Sequence, residues 1–302
     1  MSLEDKQLSR RGFVKSATLL AGWGALSADS LWAGISKRND VLPLGVCTSY
    51  SNAELLRGLG YTFIEEGVGR FLIPDAKNGG DAQFEKNLAE RKAVGMPILS
   101  YTSFFPGDLK SVGPELHHEA ILQRTELALK RAKEIGSKNI VFGSGGSRRI
   151  PDGFDRAKAK QQHIELSKKM APLAEKYGIT ISIEPLNASE TNFVNSLADG
   201  AEIVQAVNSP WFRLLCDIYH MKKDDEGPEQ ILKYGKLITH CHIAEKANRT
   251  APGVEGDDFR PYFKALKKVK YKKGLSLECR WKNFDSEVKT AIGVIQNQWR
   301  DA

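Results

Sequence analysis

The chain has 302 residues, 41% of them hydrophobic and 27% charged, which allows a large core and excludes global disorder. Lys and Arg number 44 against 37 Asp and Glu, a net charge of +7 spread along the chain, so the balance favours anionic partners only weakly and does not argue for nucleic acid. Four cysteines (Cys47, Cys216, Cys241, Cys279) without a CxxC pair exclude a disulfide scaffold, a zinc ribbon and a thioredoxin-like motif, and no apolar run reaches the roughly 18 residues of a spanning helix.

At the N-terminus, Ser9-Arg10-Arg11-Gly12-Phe13-Val14-Lys15 precedes a modestly apolar stretch, Ala17 to Leu26, followed by small residues with Ala28 and Ala33 at cleavage-type positions. A basic start, short apolar middle and small-residue end is the anatomy of an export signal, and the arginine pair followed by Phe13 and Lys15 looks like a bacterial twin-arginine signal. Gly12, Gly22 and Gly24 make this stretch a poor structural helix. Residues 1–33 are therefore expected to be a leader for export to the periplasm, leaving 34–302 as a single domain with no membrane segment.

From residue 41 onward, short β-rich runs alternate with longer amphipathic segments. The strand candidates are Leu42–Thr48, Tyr61–Glu66, Pro97–Ser103, Asn139–Gly143, Thr180–Leu186, Phe212–Asp217, Ile238–Ala244 and Gly274–Arg280. Helical patterns lie between them, among them His118–Ile135, Asp155–Tyr177, Leu197–Val207, Glu229–Tyr234, Phe259–Val269 and Asp285–Arg300. Gly60, Gly95, Gly136 and Gly178 fall where helices should stop before the next strand. Eight βα units in about 260 residues suit an α/β fold of the closed (β/α)8 TIM barrel type. A doubly wound open sheet is the alternative, but the first strand is followed by Thr48-Ser49-Tyr50-Ser51-Asn52 rather than a glycine-rich phosphate loop.

Strand side chains alternate between two faces. In Thr180-Ile181-Ser182-Ile183-Glu184 the isoleucines take one face and Glu184 points inward at the strand's C-terminal end. By the same alternation Asp217 opposes Cys216, His240 and His242 share a face, and Ser276 and Glu278 share another. One face thus collects Glu184, Asp217, His242 and Glu278 from four successive strands, at the end where barrel active sites lie. Three carboxylates and an imidazole converging there would repel or protonate one another unless a cation joined them. Three oxygens and one nitrogen suit Mn2+ first, with Mg2+, Co2+ or Zn2+ accepted.

The segments Ile183-Glu184-Pro185-Leu186-Asn187, Cys216-Asp217-Ile218-Tyr219-His220, His240-Cys241-His242-Ile243-Ala244-Glu245 and Leu277-Glu278 resemble those of the xylose-isomerase-like sugar phosphate isomerase/epimerase superfamily. So do Val141 to Pro151, and Ala251-Pro252-Gly253 with Gly256-Asp257. The resemblance implies a TIM barrel in which Glu184, Asp217, His242 and Glu278 are the metal ligands. It also implies that Glu184 and Glu278 exchange protons with the carbon next to a substrate carbonyl, and that His220 takes part in catalysis while binding substrate oxygens. A substrate-binding arginine follows the strand-seven histidine in this family, usually six residues on. Here Arg249 comes seven after His242, and Lys246 competes for the role.

Around that site, Glu65 and Glu66 end the second strand, and Glu66 is expected to contact substrate. Phe104, Phe105 and Trp281 follow strands three and eight, and Trp281 is expected to lie against a sugar face. Arg148 and Arg149 follow a Gly-Ser-Gly-Gly turn that either holds an anion or is a tight βα turn. The expected function is a divalent-metal-dependent sugar isomerase or epimerase working through an enediolate, with a small carbohydrate as partner and a homo-oligomer allowed. A lyase or dehydratase acting on a keto sugar, inosose or 3-keto-glycoside by β-elimination is the alternative. An abasic-site endonuclease of the same superfamily is disfavoured, because the extra histidines of a three-zinc site are missing from strands two and three and no Asp-x-His follows strand seven.

Overall fold

The computed structural model describes residues 42–74 and 80–302, so the leader assigned to residues 1–33 lies outside the described residues. Eight parallel strands close into a barrel in chain order: β1 Leu44–Cys47, β2 Phe63–Gly67, β3 Ile98–Thr102, β4 Asn139–Phe142, β5 Thr180–Ile183, β6 Phe212–Asp217, β7 Ile238–Ile243 and β8 Leu275–Leu277. β8 pairs back onto β1 through Leu44↔Leu275 and Val46↔Leu277, and that pairing excludes the open-sheet alternative. One long helix or shorter equivalent follows each strand: α1 Ala53–Leu59, α2 Gly80–Val94, α3 His118–Ile135, α4 Arg156–Tyr177, α5 Leu197–Val207, α6 Glu229–Tyr234, α7 Arg260–Lys268 and α8 Phe284–Asp301.

Local chemistry sets these boundaries. Asp155, Ser196 and Asn283 cap α4, α5 and α8 by accepting the N–H groups of Lys158, Asp199 and Ser286. Gly136 closes α3 at φ +87°, a left-handed conformation that a Cβ would oppose, while its N–H bonds Ala132 and Lys133 carbonyls.

The apolar core lies between sheet and helices, where Ile181, Ile183, Leu214 and Cys216 are buried. Inside the barrel Phe63 packs with Leu99, and Gly45 on β1 makes room for it: a Cβ there would meet the Phe63 ring at 2.1 Å. Above this plug the interior is polar. Strands β5 and β8 are shorter than their sequence runs, ending at Ile183 and Leu277. Glu184 and Glu278 nonetheless keep ladder bonds, donating N–H to the carbonyls of Phe142 (3.2 Å) and Ile243 (3.1 Å). They therefore retain the side-chain direction that strand alternation assigns. Among the described residues no helix is long and apolar enough to cross a membrane.

Candidate active site

Glu184, Asp217, His242 and Glu278 each present a ligand atom, and these four atoms lie within 4.8 Å of one another. Register brings two of them side by side, Asp217 pairing with His242 across β6 and β7. His242 Nδ1 is the centre of the group, 3.0 Å from Glu184 Oε1, 3.1 Å from Glu278 Oε2 and 3.9 Å from Asp217 Oδ2. Asp217 ends β6 and caps the turn Ile218–Lys223, its Oδ1 accepting the N–H groups of Tyr219 (2.7 Å) and His220 (3.3 Å). Its Oδ2 is buried with no hydrogen-bond partner among the described residues. Only Glu278 opens to solvent, with 28% of its side chain exposed, so a ligand reaches the cluster from the β8 side.

Two backbone features hold Glu184 in place. Arg148 is fully buried and donates to the carbonyl oxygens of Glu184 (2.6 Å), Phe142 (3.0 Å) and Phe193 (3.1 Å), tying β4 to β5. Burial holds its guanidinium down at about 10. Gly143 faces the carboxylate, and a Cβ on it would meet Glu184 Oε2 at 2.3 Å.

The residues present fit a divalent cation. Asp217 Oδ2 is an orphaned buried acceptor 3.5 Å from His220 Nε2, which is itself buried and unpartnered. Gly143 opens a cradle beside Glu184, and three carboxylates with one imidazole form a donor set for a hard-to-borderline ion. Without a cation, charge is balanced by protons and by Arg249. Burial raises the carboxyls of Glu184 and Asp217 above the usual carboxylate range. Burial acts the same way on Glu278, but the Arg249 guanidinium and His242 outweigh it and hold that carboxyl low. For His242, burial favours the neutral ring, and Glu65 with the surrounding acidic groups outweighs it, raising the imidazole well above its ordinary value.

The sign of the pH dependence follows. The surrounding carboxyls favour the protonated ring, so an ion at Nδ1 competes with a proton there. Metal affinity is therefore expected to rise with pH up to the His242 pKa and to fall by about tenfold per pH unit below it, with release of at least one proton per ion. Calorimetric titration with Co2+ in buffers of different ionisation enthalpy measures that proton count; a count of zero would contradict the assignment of Nδ1.

His220 stands beside the cluster with 3% of its surface exposed. Its Nδ1 accepts the Asn187 backbone N–H at 3.1 Å and lies 2.8 Å from the Asn187 side-chain nitrogen, which leaves the ring proton on Nε2. Arg249 is in the cluster, with Nη2 at 2.6 Å from Glu278 Oε2 and 3.9 Å from Asp217 Oδ2, Nη1 at 3.3 Å from Glu190 Oε1, and its guanidinium over the Tyr219 ring at 4.7 Å. Asn248 and Arg249 are both left-handed, at φ +54° and +58°. Lys246 points elsewhere, its Nζ on Asp225 at 2.5 Å.

Other expected residues lie outside the four-residue cluster. Glu66 does not join the group. Its Oε2 accepts the Tyr50 N–H at 2.7 Å and its Oε1 accepts Gly67 N–H (2.7 Å) and Arg70, so it fastens the β1 loop to β2. The turn after β4 is no anion cradle built on Arg148, which spends its donors on backbone carbonyls, while Arg149 bonds the Glu190 carbonyl at 2.8 Å. Phe104 and Phe105 stack on each other at 4.0 Å and both meet Phe142 edge to face, as packing beneath the loops. Trp281 packs edge-on against Phe284, and its buried indole N–H has no partner among the described residues.

Two buried carboxylates at the site were assigned no role from the sequence, although Glu65 was named beside Glu66 at the end of the second strand. Glu65, one residue before Glu66, points inward and contacts both His240 and His242. Alternation from Phe63, the interior plug, would have chosen it. Glu245 is fully buried after β7 and accepts N–H groups from Gly253 (2.8 Å), Glu255 (2.5 Å) and Gly256 (3.0 Å) and the Thr250 hydroxyl (3.0 Å), which folds the loop carrying Arg249. No local pattern marks a carboxylate whose partners lie in a loop of irregular backbone.

Fold and site together define a class: a parallel βα barrel with an acidic and imidazole cluster of metal-binding type at the C-terminal ends of strands five to eight. The profile of the xylose isomerase-like TIM barrel family matches residues 53–298, and the chain belongs to that family. It is similar to the L-ribulose 3-epimerase of Methylomonas sp. (strain DH-1), at 30% identity over 259 residues covering 80% of this chain and 82% of the relative. It is also similar to the 3-dehydro-D-guloside 4-epimerase of Escherichia coli (strain K12), 25% identical over 194 residues, 62% of this chain and 73% of that one. Among solved structures, a crystal structure of a protein with a bound zinc atom has the same fold, with a TM-score of 0.68 at 18% identity over 86% of this chain and 99% of that chain.

Proposed function

We propose that the protein is a divalent-metal-dependent sugar epimerase or isomerase, with an unphosphorylated keto sugar or a 3-keto-glycoside as substrate and Mn2+ as the resident ion. The observation that carries this reading is the convergence of Glu184 and Glu278 on His242 Nδ1, each turning one oxygen to the imidazole, at 3.0 and 3.1 Å. Glu184 Oε1 and Glu278 Oε2 make those contacts, and Glu184 Oε2 and Glu278 Oε1 are left for proton transfer. A bound divalent ion, held by Glu184, Asp217, His242 and Glu278, would act as a Lewis acid on substrate oxygens and stabilise charge that develops on them.

The remaining chemistry belongs to the side chains. One glutamate removes the proton next to the carbonyl, and the other returns a proton to the opposite face of the enediolate; reversal exchanges their roles. His220 Nε2–H and the Arg249 guanidinium donate hydrogen bonds where negative charge grows on oxygen. Arg249 also pairs with Glu278, and its guanidinium is placed to turn toward a substrate oxygen as negative charge develops there on proton abstraction. Trp281, with its unpartnered indole N–H, offers a flat apolar face with one donor. Export through the leader at Arg10 and Arg11 places the enzyme in the periplasm, where sugars without phosphate are the available class.

Incubating the Mn2+-loaded protein in D2O with a panel of ketoses and 3-keto-glycosides, and following products by NMR, tests the proposal. Deuterium incorporation with formation of an epimer or isomer is the expected outcome. Exchange with loss of water or an aglycone would make the protein a lyase, and cleavage of an abasic duplex without sugar exchange would overturn the proposal.

A further inference from the structure

Below the cluster lies a second, fully buried carboxylate. Glu65 on β2 reaches across the barrel and accepts four hydrogen bonds. Its Oε1 takes His242 Nε2 and Ser100 Oγ, both at 3.0 Å, and its Oε2 takes His240 Nε2 at 2.6 Å and Ser276 Oγ at 2.5 Å. Strands β2, β3, β7 and β8 each supply a member of this network. Ser100 in turn accepts from Asn139 Nδ2 at 2.9 Å, which extends the network to β4.

An ionised carboxylate only accepts. Both oxygens of Glu65 are saturated by donors, so the nitrogen of His242 that faces it must carry a proton. A neutral imidazole protonated at Nε2 has its lone pair on Nδ1, the atom that sits among the three upper carboxylates. His242 has no exposed surface, and its two nitrogens are gripped from below and above, so the ring has no room to turn over.

We infer that Glu65 is a positioning residue for the metal centre: by holding His242 Nε2–H it selects the tautomer and ring orientation that present Nδ1 as a ligand. The inference rests on the metal-binding reading of the cluster. It also gives the polar interior of the barrel a purpose, since Ser100, Ser276 and His240 immobilise the Glu65 carboxylate. A hydrogen bond from a ligating histidine to a carboxylate raises ligand basicity, and removing such a partner commonly costs about 10–100-fold in metal affinity.

Glu65→Gln removes the charge, and Glu65→Asp keeps the charge but withdraws it from His242. The expected result is that each variant binds Co2+ about 10–100-fold more weakly by calorimetry, with an altered Co2+ visible absorption spectrum, while Glu66→Gln, at the neighbouring buried carboxylate that bonds Tyr50 and Gly67 and does not contact His242, stays close to wild type in both. Should Glu65→Gln fail to fold, Glu65→Asp gives the same reading, because it preserves a buried anion beside His240. Wild-type affinity and an unchanged spectrum in a folded Glu65 variant would overturn the positioning role. Absence of Co2+ binding by the wild-type protein would instead overturn the metal-binding reading on which it rests.

Discussion

Glu184→Gln and Glu278→Gln are each expected to lower kcat by about 10²–10⁴-fold, the range for loss of a positioned acid or base. Each amide keeps the size of the side chain but cannot carry the proton. Both variants also lose one anionic ligand of the proposed metal site, so divalent-metal binding is expected to weaken as well. The two effects separate under saturating metal: with the ion restored, the proton-transfer defect persists. A further distinction comes from solvent exchange. If the two glutamates serve opposite faces of the substrate, one variant still washes deuterium into unreacted sugar while making no epimer. Two variants with kcat within a factor of about three of wild type under saturating metal would remove both carboxylates from the chemistry.

Gly143→Ala is the second large effect, and it alters a residue with no chemistry of its own. The added methyl would sit 2.3 Å from Glu184 Oε2, so the carboxylate must swing away. The obstacle is the end of a side chain rather than backbone, so the fold yields cheaply while the site does not. Misplacement by about 1 Å of a group in an active site costs on the order of 10²-fold in rate. The expected outcome is a loss of about that size in kcat/KM, with weaker metal binding and a melting temperature close to wild type. Full activity in Gly143→Ala would show that Glu184 works from a different rotamer.

The four cluster residues were legible because strand periodicity is strict: a period of two leaves no choice of face once the neighbouring apolar residues are known. Glu184 beside Ile181 and Ile183, and His242 beside Cys241, are set by that rule. The choice between Glu65 and Glu66 failed for a related reason. Both faces of β2 end in a glutamate, and alternation picks out Glu65 only once Phe63 is known to be the interior plug. Both are buried, and each is satisfied by donors that arrive from elsewhere in the fold. Arg148 misled in another way. An arginine after a glycine turn reads as an anion binder, yet this one is enclosed and serves backbone carbonyls.

What the amino-acid order determined by itself is the alternation of eight strands with helices, the cap residues that start and stop them, and the face on which each strand-borne polar side chain lies. These depend on nearest neighbours along the chain. The tertiary structure alone decided which groups meet: Glu65 under His242, Arg249 rather than Lys246 beside Glu278, and Glu245 inside the loop that carries Arg249. Those contacts join residues separated by as much as 177 positions, and they form only when barrel closure brings strand ends together. Hydrogen-bond satisfaction of a buried charge is a property of the enclosed space, and no local pattern of residues encodes it.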